Sequence, residues 1–189
     1  MLLRRTRADQ VAGILSEALH RFPTPEALAR ARRGTARRVF GSAGLATRAD
    51  QLRNAAQVIV REHGGKVPTN IPALQELPGV GPYVASMVAA VTVGAPVVLV
   101  DTNSVRVATR VLGIVPATKE PRRESKVIAG IEGLLGGPQR ASLWFAVIDL
   151  AHRICRPADP DCGSCPLAPG CAAAVSGRTQ LACDTVARQ

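Results

Sequence analysis

The chain has 189 residues, 47% of them hydrophobic and only 3% aromatic; this is material for one large or two small domains with a Val, Leu, Ile and Ala core, which favours packed helices over aromatic-rich sheets. Its formal net charge of +10 is carried almost wholly by arginine, with Lys66, Lys119 and Lys126 the only lysines; such a surface suits polyanions through counterion release from phosphate, or else serves solubility alone. A single Tyr and a single Trp exclude an aromatic platform for stacking single strands, so a duplex backbone is the expected polyanion.

At the start, Arg4 and Arg5 interrupt the apolar residues, so no signal-peptide core forms. Residues 2–20 place Val11, Ile14, Leu15, Ala18 and Leu19 on one helical face. Thr24-Pro25-Glu26 supplies a cap, a first-turn proline and an acid at the positive helix end, which predicts a helix start. Residues 46–63 read as a longer amphipathic helix with Leu52, Ala55, Ala56, Ile59 and Val60 inward, stopped by Gly64-Gly65. A short helix is expected over about 71–77 and another over about 82–93. The uncharged stretch 77–100 raises the question of a membrane span. Pro78, Gly79, Gly81, Pro82, Gly94 and Pro96 break it up, and the remaining run 84–93 is too short. It reads as a buried helix followed by an extended segment, 97–100. Further helices are expected at about 103–112, 122–135 and 139–154. The last 35 residues, rich in Cys, Pro and Gly, read as a loop held by ligands.

Two motifs carry chemistry. Cys155, Cys162, Cys165 and Cys171 have the spacing C-x6-C-x2-C-x5-C. Zinc sites usually draw on two CxxC knuckles, and only one is present, so one loop wrapping four thiolates suits a [4Fe–4S] cluster; zinc and disulfides are the alternatives. A cytoplasmic, bacterial-type setting is expected, and there clustered cysteines point to metal. Cys183 lies outside the spacing and reads as a free thiol. Such a cluster can also serve only to pin a loop. Second, Leu77-Pro78-Gly79-Val80-Gly81 lies between two short helices. Its glycines allow a tight turn and close approach, and the following helix aims free N–H groups outward as a phosphate site. A plain helix–helix turn is the alternative. Asp101 follows four apolar residues, 97–100, at the mouth of a buried segment, where it can be a functional carboxylate or a simple N-cap.

In order and separation, residues 77–81, Asp101 and the four-cysteine loop resemble the helix-hairpin-helix superfamily of DNA glycosylases that includes endonuclease III, over residues 1 to about 171. The resemblance implies an all-α fold of two helical lobes with a DNA-binding cleft between them. One lobe, 1–95, would be a helical barrel containing the hairpin at about 71–93. The other, 96–189, would hold the catalytic-acid segment and the cluster loop 155–171. Asp101 matches the family's catalytic carboxylate. Pro78, Gly79, Val80, Gly81, Asn103, Arg4 and Arg5 match positions expected to contact DNA. The implied partner is double-stranded DNA with a mismatched or damaged base, bound by a monomer away from any membrane.

Tyr83 narrows the reading. Bifunctional relatives carry a lysine there that forms a Schiff base with the sugar, and a phenol cannot do so. Tyrosine at this place resembles the monofunctional thymine glycosylases acting on T or U opposite G, although core packing is the bland alternative. Arg4-Arg5-Thr6 resembles the basic pair of these enzymes, where adenine-mismatch enzymes have a glutamine pair. Residues 44–49 lack the adjacent tyrosines of the adenine enzymes, and only 18 residues follow Cys171. An adenine-mismatch glycosylase and a catalytically silent DNA-binding module are the other readings. The loop 156–161 reads RPADPD, where relatives often place lysines. Finally, the helical pattern already runs at Leu2 and Leu3 without a cap. The resemblance implies one more helix before it and a glutamate just ahead of Met1, so either the protein starts upstream, which is the expectation, or it does without that helix and that acid.

Overall fold

The structure, a computed structural model, describes residues 8–41, 46–137 and 140–177. Among these residues every regular element is helical. The chain divides into two compact units, Met1–Val93 and Gly94–Gln189. No described helix is long and apolar enough to cross a membrane.

The described residues of the first unit form six α-helices: α1 (Ala8–Arg21), α2 (Pro25–Arg30), α3 (Arg33–Phe40), α4 (Ala46–His63), α5 (Ile71–Glu76) and α6 (Pro82–Val93). Helix α2 starts where its sequence demands, with the Thr24 hydroxyl accepting from the Ala27 N–H at 3.2 Å and proline in the first turn. Helix α4 ends at Gly64 and Gly65, with φ +57° and +81°, values that suit glycine. One core cluster gathers Ile14, Ala18, Ala36, Val39, Phe40 and Ala49, with Phe22, Leu28 and Leu52 against it and the Phe22 and Phe40 rings stacked. Burying a valine or phenylalanine this fully contributes about 1.5–3 kcal/mol each.

Helix α3 was not expected from the sequence. Its buried residues are only Ala36, Val39 and Phe40, and tertiary contacts hold it. Arg33 and Arg37 both reach Asp50 on α4, with Arg33 Nη2 donating to Oδ2 at 2.7 Å. These two guanidinium groups, Arg33 first, hold the Asp50 carboxyl far below the ordinary carboxylate range. Two expected faces are narrower than the sequence suggested. On α1, Val11, Ile14 and Ala18 are buried, whereas Leu15 and Leu19 are exposed. On α6, the buried stripe is Ala85, Ala89 and Ala90, and Val91 and Val93 are exposed, so this is not a helix buried all round.

The second unit is built around α7 (Thr102–Leu112), which contacts α8 (Ser125–Leu135), α9 (Arg140–Arg153) and the short α10 (Ala172–Val175). Every residue from Ser104 to Arg110 is buried. Val105 and Ala108 meet Val127 and Ile131 of α8, with Val98, Val100, Ile114 and Leu135 packed around them. Gly113 closes α7 in the left-handed region at φ +68°. The expected helix over 122–135 is observed as a 3-10 turn, Pro121–Arg123, followed by α8.

Candidate catalytic helix and cluster site

In the first unit the motif 77–81 forms the turn between α5 and α6. Leu77 is buried and anchors it, the Val80 N–H donates to the Leu77 carbonyl at 3.0 Å, and Gly79 sits at φ +78°. A side chain at Gly79 would strain this conformation. Gly81 is exposed and α6 begins immediately after it, at Pro82. The first N–H groups of a helix lack partners within that helix, so the turn and the start of α6 offer donors at the surface. Tyr83, the second residue of α6, is 37% exposed and so stands at the surface with part of its ring covered.

In the second unit Asp101 is the N-cap of α7. Its Oδ1 accepts from the N–H groups of Asn103 at 2.9 Å and Ser104 at 2.7 Å, and the Ser104 hydroxyl accepts from the Asp101 N–H at 2.9 Å. This is a complete capping box, so the simple N-cap reading of Asp101 is correct as far as it goes. A cap and a reactive carboxylate are compatible. Two N–H groups at the start of the helix fix the position of one carboxylate oxygen. Asn103, two residues on, accepts from Arg106 Nη2 at 3.0 Å through its side-chain oxygen.

The sequence reading missed two residues, Arg106 and Arg110. One turn apart on α7, they are 4% and 3% exposed. Arg106 donates to the carbonyls of Cys155 at 2.9 Å and Ala151 at 3.0 Å. Arg110 donates through Nη1 to the Arg156 carbonyl at 2.7 Å and to Cys155 Sγ at 3.3 Å, and through Nη2 to the Pro157 carbonyl at 3.0 Å. The helix that begins at Asp101 is thus stitched to the loop that begins at Cys155. Their signal in the sequence was two arginines four apart among Val105, Val107, Ala108 and Val111, a face too apolar for solvated charges.

The four cysteines Cys155, Cys162, Cys165 and Cys171 are free thiols that line one cavity. Apolar side chains from α7, α9 and α10, including Val107, Val111, Leu150 and Ala173, form its other walls. Burial pushes the Cys162 thiol up; Cys171, Cys155 and Cys165 push it the same way, and Arg110 opposes them. Among the described residues no three His, Cys, Asp or Glu side chains are gathered as for a single metal ion. Four thiols around one cavity are the donor type that iron–sulfur clusters and four-cysteine zinc sites both use. In the 156–161 loop the Arg156 guanidinium folds back onto the carbonyls of Arg153 at 3.1 Å and Asp159 at 2.6 Å. Arg4, Arg5 and Cys183 lie outside the described residues.

Comparison with known proteins accords with this geometry. Residues 1–129 match the family model described as HhH-GPD superfamily base excision DNA repair protein. A thymine-DNA glycosylase of Aeropyrum pernix is 38% identical over 88% of this chain and 76% of its own length. A thymine/uracil-DNA glycosylase of Pyrobaculum aerophilum is 35% identical over 89% and 74%. An adenine DNA glycosylase of Mycobacterium tuberculosis is also 35% identical, but this chain spans only 55% of it. Among solved structures, a thermostable thymine-DNA glycosylase superposes with a TM-score of 0.80 at 28% identity, covering 93% of this chain and 81% of that one. An endonuclease III–DNA complex at 22% identity shares the fold with a TM-score of 0.77. The chain belongs to the HhH-GPD superfamily of base excision DNA repair proteins.

Proposed function

We propose that this chain is a monofunctional DNA glycosylase that hydrolyses the N-glycosidic bond of thymine or uracil opposite guanine in duplex DNA, with a [4Fe–4S] cluster on Cys155, Cys162, Cys165 and Cys171. The observation that carries the reading is Asp101: a carboxylate fixed by two backbone N–H groups, in a chain 38% identical to a thymine-DNA glycosylase.

A base inside the duplex is out of reach, so the target must be flipped out of the stack. Departure of the base builds positive charge on the sugar, as in glycoside hydrolysis. Asp101 supplies the compensating negative charge and orients the attacking water, and its capping bonds remove the need to reorganise during the reaction. The N–H groups of the 77–81 turn and of the start of α6 hold a backbone phosphate and set the register without reading sequence. Tyr83 stands where a lysine would attack the sugar; a phenol forms no imine, so hydrolysis ends with the base released and the strand intact. When bound, the cluster supplies a four-point ligation of the 155–171 loop and a one-electron couple. Arg106 and Arg110 transmit the position of that loop to the helix carrying Asp101.

The test is a panel of G·T, G·U and A·8-oxoguanine duplexes, treated with alkali after incubation, with Asp101→Asn as control. Breaks at T or U support the proposal. Breaks only at A would favour the adenine-mismatch reading, which the Mycobacterium relative keeps in view. Binding without breaks on any duplex would make the chain a silent DNA-binding module.

A further inference from the structure

We infer that Arg110 sets the reduction potential of the cluster held by the four cysteines, through the hydrogen bond and positive charge that it brings to Cys155 Sγ. The inference rests on the [4Fe–4S] reading above and concerns what this chain adds to it. Arg110 Nη1 lies 3.3 Å from Cys155 Sγ, and the same nitrogen reaches the Arg156 carbonyl at 2.7 Å. Nη2 takes the Pro157 carbonyl at 3.0 Å. These three bonds fix the guanidinium plane. The side chain is 3% exposed, so water screens its charge poorly. All three acceptors are neutral or, once ligated, a thiolate. The guanidinium therefore brings a buried positive charge against one ligand of an anionic group.

The potential of an iron–sulfur cluster is set by net charge, hydrogen bonds to its sulfurs and solvent exposure. A buried cation that hydrogen-bonds a ligand sulfur stabilises the form with one more electron, and so raises the potential. The couple takes up a single electron from an external reductant, and no bond at Cys155 is made or broken. Arg106 provides an internal comparison. It is equally buried and on the same helix, and its Nε donates to the Cys155 carbonyl at 2.9 Å.

The experiment compares the full chain with Arg110→Met, Arg110→Gln and Arg106→Met, purified without oxygen. Iron content and visible absorbance are measured first, then the midpoint potential by mediated titration with dithionite as reductant, followed by electron paramagnetic resonance. Arg110→Met is expected to keep its iron and shift to a clearly more negative potential, with Arg106→Met shifted much less. Should Arg110→Met fail to fold or load, Arg110→Gln, which keeps donors but no charge, is expected to shift the same way. A loaded Arg110 variant at the wild-type potential, or one shifted no more than Arg106→Met, would overturn the inference. Wild-type protein without iron would instead overturn the cluster reading itself, before any variant is compared.

Discussion

Replacing Asp101 by asparagine and by alanine separates its two roles. Asparagine keeps an oxygen where Oδ1 now accepts from Asn103 and Ser104, and asparagine is as good an N-cap as aspartate. Asp101→Asn should therefore change stability by no more than a few tenths of a kcal/mol. Alanine removes the acceptor and leaves two N–H groups at a half-buried helix start, a loss of about 0.5–2 kcal/mol, or a fall in Tm of about 2–4 °C per kcal/mol for a chain of this size. Both substitutions delete the charge that the developing sugar cation needs. Each should then lower single-turnover base release by about a hundredfold or more, equivalent to about 2.7 kcal/mol of transition-state stabilisation. Duplex affinity should stay near wild type in Asp101→Asn, because it rests on N–H donors and arginines. The assays are a thermal melt, a binding titration at fixed salt and a rapid-quench excision course on the same preparations. If Asp101→Asn melted like wild type and also released base at the wild-type rate, the carboxylate would be a cap and nothing more.

Cys162→Ser should abolish the visible absorbance of the iron-loaded protein, whereas Cys183→Ser should preserve it; equal iron in both would contradict the assignment of the four ligands. Borohydride added during turnover should trap no stoichiometric protein–DNA adduct, because Tyr83 cannot form an imine, and recovery of such an adduct would require an unrecognised amine nucleophile. Asp50 predicts an acid dependence of stability. Its folded-state pKa lies below the unfolded value, so the contribution is complete above the unfolded pKa of about 3.9 and is lost as pH falls from there toward the folded value. The melting-temperature gap between wild type and Asp50→Asn should be constant near neutrality and shrink below about pH 4. A gap that persisted unchanged into strong acid would show that the Arg33 and Arg37 bonds contribute no charge-dependent stability.

Much of the helical frame was legible because local chemistry and tertiary packing agree. Helix α4 carries its own inward stripe, Ala55, Ala56 and Ile59, and its own stop in Gly64 and Gly65. Helix α2 carries Thr24 and Pro25. Helix α3 carries no such signals: its eight residues include Gly34 and three arginines, and it is held by the burial of Ala36, Val39 and Phe40 and by Asp50, thirteen positions beyond Arg37. The α1 and α6 faces were read too broadly, since spacing identifies which residues share a side but not how wide a strip its neighbour covers. At the site, the cysteine spacing and Asp101 stood out because few other roles use those residues in that order. Arg106 and Arg110 did not, because arginine on a helix ordinarily points to solvent; the three-dimensional course of residues 151–157 supplies the carbonyls that make burying them tolerable.

The proposed activity removes a base without cutting the strand. The most direct measurement is a single-turnover reaction on a G·U duplex labelled on the uracil strand, quenched in two halves, one neutral and one alkaline. Cleavage at the uracil position is expected in the alkaline half alone, dependent on Asp101. Equal cleavage in the neutral half would contradict the role given to Tyr83, and an intact strand in both halves would contradict the glycosylase activity on this base.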